Sequence, residues 1–158
     1  MNVPSLEFRE SIPGDETVLF PMTRELAEQE PGPIPFDESA ARSAFRQFLS
    51  LPAFGRIWLI YHGPALFGYI ILTIGFGFEF PGHDAFIDEL YIVPAHRRRG
   101  LGREAMAFVE QEAREMGVNA IHLEVDCGND PALELYRHTG YQDRHRLLMT
   151  KWLNRAIQ

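Results

Sequence analysis

Six residues near the middle of the chain, Arg97-Arg98-Arg99-Gly100-Leu101-Gly102, combine three guanidinium groups with two glycines just ahead of a helical pattern. The first turn of a helix offers backbone N–H groups without intrahelical partners, and the helix dipole adds partial positive charge there. Such a terminus is an anion site. Glycine at 100 and 102 lets a phosphate approach the backbone, and the arginines add forked donors suited to phosphate oxygens. A pyrophosphate is the guest this chemistry fits. The other reading is a basic loop before an ordinary helix. No Gly-Lys-Ser or Gly-Lys-Thr follows, and the glycines lack the G-x-G-x-x-G spacing, so neither a nucleoside-triphosphate loop nor a dinucleotide fingerprint is present.

Other groups could do chemistry beside such an anion. Asp88 and Glu89 lie on the strand that leads into the turn. Strand neighbours point to opposite faces, so Glu89 pairs with Tyr91 and Val93, and Asp88 with Leu90 and Ile92. If the second face is mainly core, Glu89 is the carboxylate for a cleft. If both are solvated strand-end charges, neither is. Tyr136 sits on a short helix beside Leu133, where it is either a packing aromatic or a proton donor. Asn129 is placed to cap that helix. His83, His96 and His122 read as surface or flanking residues, and no His or Cys pair has metal-ligand spacing, so no metal is expected.

The elements that must position these groups follow from periodicity and breakers. Leu6–Glu10 alternates as an edge strand, and helices are expected over Asp15–Glu30 and from an Asp37 cap to Leu49, separated by Pro31-Gly32-Pro33-Ile34-Pro35. Strands are expected over Arg56–Tyr61, Leu66–Phe80 and Ala85–Val93, joined by short turns into an antiparallel meander. Phe76, Phe78 and Phe80 alternate on one face; core packing is the default there, with a cleft wall or a homodimer contact as alternatives. A helix over Gly100–Met116, ended by Gly117, leads to a strand at Ala120–Val125 and a helix from Asn129 or Asp130 to about His138. A last strand is expected at Leu147–Trp152. The strand–helix–strand crossover beside hairpins makes an α/β (α+β) fold with a mixed, mainly antiparallel sheet of six to seven strands flanked by about four helices.

The 158 residues suit one domain over 1–158. Net charge is −7, and the basic residues cluster at Arg97, Arg98, Arg99 and Arg103, which disfavours a nucleic-acid surface and suits a small polyanion. The acidic surround also suits a cationic substrate. Apolar runs fall short of a membrane span, the Met1-Asn2-Val3-Pro4 start does not read as a signal peptide, and a lone Cys127 fits a reducing compartment. A cytoplasmic protein is expected, with neither a nucleic-acid nor a membrane partner.

The run Glu89–Gly102, with its Ile92-Val93-Pro94 step and Arg97, Gly100 and Gly102, resembles the central motif of the GNAT family of N-acetyltransferases. Asn129-Asp130-Pro131-Ala132-Leu133-Glu134-Leu135-Tyr136-Arg137-His138-Thr139-Gly140-Tyr141 is similar to that family's second motif. The resemblance implies an acetyl-CoA cosubstrate and an amine acceptor. It implies that Arg97, Arg98, Arg99, Gly100, Leu101, Gly102 and Arg103 hold the pyrophosphate, that Leu90, Tyr91 and Ile92 guide the pantetheine arm, and that Asn129 hydrogen-bonds that arm. It places Tyr136 near the sulfur, where a phenol with an ordinary pKa of about 10 can protonate a thiolate whose acid has one near 8.5. Glu89, Asp88 or a water chain is the base. The alternative function is a CoA-binding sensor with little turnover. The acceptor is not specified by either motif.

Overall fold

The computed structural model describes residues 6–32 and 34–153. The Met1–Pro4 start and Pro33 of the proline-rich loop lie outside these residues.

Strand β1 (Glu7–Glu10) is followed by helices α1 (Glu16–Gln29) and α2 (Glu38–Ser50), then β2 (Gly55–His62), β3 (Ala65–Gly77) and β4 (Gly82–Ile92). Helix α3 (Leu101–Glu115), strand β5 (Ala120–Leu123) and helix α4 (Asp130–His138) complete the regular elements. Asp37 caps α2 as its position predicts, its carboxylate accepting from the amides of Ser39 and Ala40 at 2.8 and 3.0 Å. Asp15 precedes α1 without capping it. Its carboxylate instead takes Arg9 at 2.9 Å and the Ile12 amide at 2.8 Å, tying β1 to the helix start.

The sheet order is β1-β2-β3-β4-β5, antiparallel throughout except for the parallel β4–β5 pair. Alternation sends Ile57, Leu59 and Tyr69 to one face, against Leu19, Phe20 and Met22 of α1 and Phe45 of α2. Trp58, Ile70 and Leu72 face the other side, against Met106, Val109 and Ala113 of α3. At roughly 1.5–3 kcal/mol for each large side chain buried, these two layers hold the helices to the sheet.

Two expectations fail. The sheet has five strands among the described residues rather than six to seven, because Leu147–Trp152 joins no ladder. Alternation marks a segment able to extend, but a strand also needs an edge in register. The candidate edge, β5, is only four residues long, and the tail leaves Leu147 90% and Met149 87% exposed. Arg144 and Arg146 fasten that tail through the Glu79 carboxylate instead. The phenylalanine stripe also fails as core. β3 ends at Gly77, so the alternation does not reach Phe78 and Phe80; Phe76 and Phe78 are exposed and only Phe80 turns inward. No helix among the described residues is long and apolar enough to cross a membrane.

Candidate active site

The site begins where two strands part. β4 pairs with β5 only from Asp84–Ala120 to Ile87–Leu123, yet β4 continues to Ile92. The β5 side of residues 88–92 is therefore an open edge. The pairing with β3 also shifts at this place: Leu72 faces Ile87 and Ile71 faces Glu89, which leaves Asp88 as the extra residue of a β-bulge. The simple alternation expected across 88–92 thus breaks at Asp88 and resumes after it. Leu90 and Ile92 turn to the α3 side, and Tyr91 and Val93 to the α1 side.

Glu89 is held from behind. Tyr69, fully buried, donates its hydroxyl proton to Glu89 Oε2 at 2.6 Å. Loss of water around Glu89 pushes its carboxyl above the usual carboxylate range; the Tyr69 bond works against that and the Asp88 charge adds to it. Asp88 is exposed at the bulge, but the surrounding walls still raise its carboxyl by desolvation. Tyr91 is pushed up to about 12 by burial, with Glu25 adding to the rise.

The turn after β4 opens into α3 at Gly100, which adopts φ 83°, and Arg98 shares the left-handed region at φ 61°. No side chain caps α3, so the first-turn amides of Leu101, Gly102 and Arg103 point outward. A Cβ on Gly100 would meet no protein atom, so the backbone face is open to a ligand; one on Gly102 would touch Leu135 at 3.0 Å. Arg98 and Arg103 line the cleft, whereas Arg99 lies off it. Arg97 also lines the cleft, with its guanidinium turned back. Its Nε donates to the Ile92 carbonyl and its Nη2 to Gln29 Oε1, both at 2.7 Å, with the guanidinium 5.5 Å from the Tyr91 ring centre. Valine at 100 imposes a β-branched side chain on a left-handed backbone, at a cost of about 1–3 kcal/mol, and fills the open face. If the turn holds the pyrophosphate of acetyl-CoA, as the sequence resemblance implies, Gly100→Val weakens that binding about 10–100-fold by calorimetry, given 1.4 kcal/mol per tenfold.

Helix α4 closes the far side. Asn129 caps it, Oδ1 accepting from the Ala132 amide at 3.2 Å, while Nδ2 donates to Glu30 Oε1 at 2.9 Å. Tyr136 is half-buried, stands edge-on to Tyr141 at 6.1 Å, and makes no side-chain hydrogen bond among the described residues. Burial raises its phenol, and the Glu30 charge raises it further. Leu133 lines the same cleft. One cleft of about 1850 Å³ joins the turn, the open end of β4, the end of α1 and α4. It brings Asp88, Glu89, Leu90, Tyr91, Ile92, Asn129 and Tyr136 together with the turn. Sequence reasoning missed Tyr69 and Gly68, which faces Ile92 across the β3–β4 ladder; both emerge only from that register. Glu30 was legible as the first residue of the stiff loop Glu30-Pro31-Gly32-Pro33-Ile34-Pro35-Phe36, read as either an acceptor-site wall or a plain helix connection, and it does line the cleft. Among the described residues no group of three His, Cys, Asp or Glu side chains could hold a metal ion.

Residues 20–141, well over half of the chain, match the model of the "Acetyltransferase (GNAT) family". Over 73 residues the chain is 33% identical to the uncharacterized N-acetyltransferase YycN of Bacillus subtilis, covering 46% of this chain and 47% of that one. The chain spans about half or less of the length of the first curated relatives it matches. An integron cassette protein from the mobile metagenome of Cole Harbour Salt Marsh has TM-score 0.82 and 32% identity, covering 95% of this chain and 92% of that one. A predicted acetyltransferase of Clostridium acetobutylicum, solved with acetyl-CoA, has TM-score 0.76 at 17% identity over 93% of this chain and 96% of that one, a likeness of fold.

Proposed function

This chain belongs to the GNAT acetyltransferase family, and from that premise we propose that it moves an acetyl group from acetyl-CoA directly to an amine in a ternary complex. The observation that carries this reading is the single cleft running from the Gly100 turn to Glu89 and Tyr136. The turn amides, with Arg98 and Arg103, bind the pyrophosphate; Leu90, Tyr91, Ile92 and Asn129 guide the pantetheine arm; and Arg97 braces the strand end. Arg99 completes the local positive charge from outside the cleft.

Glu89 takes a proton from the acceptor's ammonium, directly or through water with Asp88 nearby. Its raised pKa brings it closer to working pH, as a general base needs. The neutral amine adds to the thioester carbonyl and the C–N bond forms; the nitrogen gives up its second proton to water as the C–S bond breaks, and Glu89 returns its own proton to solvent. Tyr136 gives its proton to the departing sulfur and regains one from solvent. Holding both reactants in one cleft removes much of the barrier without a covalent enzyme intermediate. The same reading takes residues 1–158 as one domain and places the protein in the cytoplasm.

The test is thiol release from acetyl-CoA across a panel of amines, with acetyl-CoA affinity measured by calorimetry. Absence of acetyl-CoA binding overturns the reading, and binding without turnover on any acceptor favours a CoA sensor. Tyr136→Phe is expected to lower kcat about 10–100-fold while acetyl-CoA affinity stays within about twofold, as loss of a proton donor predicts. A fall in affinity or in Tm instead assigns Tyr136 to packing.

A further inference from the structure

Position 69 lies in mid-strand on β3, in the layer between the sheet and helices α1 and α2. It shares that layer with Leu19, Phe20, Ile57, Leu59 and Tyr91, and is fully buried. A phenylalanine would fill nearly the same space, so packing explains the ring of Tyr69 and not its hydroxyl. A buried hydroxyl needs a partner. Here the partner is the Glu89 carboxylate, with Oε2 accepting at 2.6 Å, and a bond to an ionised acceptor is stronger than one between neutral groups.

The ladder explains how the two meet. Tyr69 faces Tyr91 and Ile71 faces Glu89, so Tyr69 reaches Glu89 on the diagonal, with the Tyr91 ring stacked beside it at 5.8 Å. The bulge at Asp88 brings Glu89 to this face, since Ile87, two residues earlier, packs toward α3. The bond then divides the carboxylate. Oε2 is held, while Oε1 has no hydrogen-bond partner among the described residues, and Glu89 lines the cleft. Tyr69 cannot exchange roles with Glu89. Burial and the Glu89 charge push its phenol well above its ordinary value, so it stays a donor, and it has no exposure through which to pass a proton on. No other charged or titratable group near Glu89 holds it. Asp88 adds a like charge from the same strand, Glu25 of α1 acts on Tyr91, and Glu30 and Tyr136 line the cleft. Arg97 is committed to the Ile92 carbonyl and Gln29.

We propose that Tyr69 is a positioning residue for the base: its hydroxyl fixes Oε2 of Glu89 against β3 and leaves Oε1 to take the acceptor's proton. The inference rests on the N-acetyltransferase reading. A bond donated to the ionised carboxylate favours that form, while loss of water disfavours it. Tyr69 therefore also sets the pH at which the base becomes active. Without the hydroxyl, desolvation and the Asp88 charge act unopposed.

The experiment compares wild type, Tyr69→Phe, Glu89→Gln and the double variant. Protein labelled with carbon-13 at the glutamate carboxyls is titrated by NMR, the Glu89 signal being the one absent from Glu89→Gln. Tyr69→Phe is expected to raise the pH at which Glu89 titrates by about one unit, the effect of one hydrogen bond to a charged group. The acidic limb of kcat/KM, measured with acetyl-CoA and the panel amine that wild type turns over fastest, moves up by the same amount. At a pH within that limb kcat/KM falls about tenfold. In the Glu89→Gln background the same substitution is expected to change kcat/KM by less than about twofold, because the two residues act as one unit. A Glu89 titration unmoved by Tyr69→Phe, or an equal fall in kcat/KM in both backgrounds, overturns the proposal and leaves the N-acetyltransferase reading in place. A wild type that turns over no amine overturns that reading, and the positioning role with it. The titration needs no acceptor, so failure of the Tyr69–Glu89 bond is distinguished from failure of the reaction.

Discussion

Replacing Glu89 with glutamine is expected to lower kcat for acetyl transfer about 10²–10⁴-fold, the usual contribution of a positioned general base, with acetyl-CoA affinity within about twofold. The pH profile separates this role from a structural one. Wild-type kcat/KM falls as pH drops through the raised Glu89 pKa, because the protonated carboxyl accepts no proton; the glutamine variant lacks that acidic limb. Stability moves the opposite way from activity. A carboxyl whose folded pKa lies above its unfolded value contributes stability below the unfolded pKa and loses it as pH rises through the folded pKa. Ionised Glu89 is therefore a burden on the fold at neutral pH. Glutamine carries no charge to desolvate, and its carboxamide oxygen can still accept from Tyr69. Tm at pH 7 is expected to hold or rise while activity collapses. Loss of both together would make Glu89 a structural residue.

Gly68→Ala is expected to damage both the fold and the cleft. Gly68 faces Ile92 in the β3–β4 ladder, and a Cβ there would lie 2.0 Å from the Tyr91 carbonyl oxygen. No side chain can yield, because the obstructing atom is backbone. The ladder has to part where β4 presents Tyr91 and Ile92. Overpacking of this kind costs roughly 1–3 kcal/mol, equivalent to about 2–12 °C in Tm for a domain near this size. On the proposed reading acetyl-CoA affinity falls with it, since Tyr91 and Ile92, assigned there to the pantetheine arm, move. An unchanged Tm and an unchanged dissociation constant would mean that β4 is not seated on Gly68 as described.

The turn was legible in the sequence because its information is local. Two glycines, the arginines and a helix start sit within a few residues, and Gly100 takes the left-handed conformation that glycine favours. Asn129 was legible for the same reason, since a cap is defined by its own next turn. The orientation of Glu89 was partly legible. Alternation gives the correct face after Asp88, but the bulge that makes Asp88 the odd residue depends on how Ile71 and Leu72 pair, and no local pattern encodes that. Tyr69 and Gly68 were hidden because their roles exist only across a strand pair. The missing final strand failed for a related reason: Leu147–Trp152 has the composition of a strand, but β5 is too short an edge to receive it. Arg97 had the right chemistry for a phosphate, yet its fork is turned to the Ile92 carbonyl, a partner no sequence spacing reveals.

The unpaired Asp88 divides β4 into two stretches that follow opposite odd–even rules. Before it, Ala85 and Ile87 pack toward α3; after it, Leu90 and Ile92 do. A strand with one rule would bind its buried and ligand-facing positions into a single pattern, so that any change of phase at the cleft would propagate into the core. The extra residue confines such changes to the downstream stretch. The half of β4 that pairs with β5 and the half that borders the cleft are one strand running in two phases.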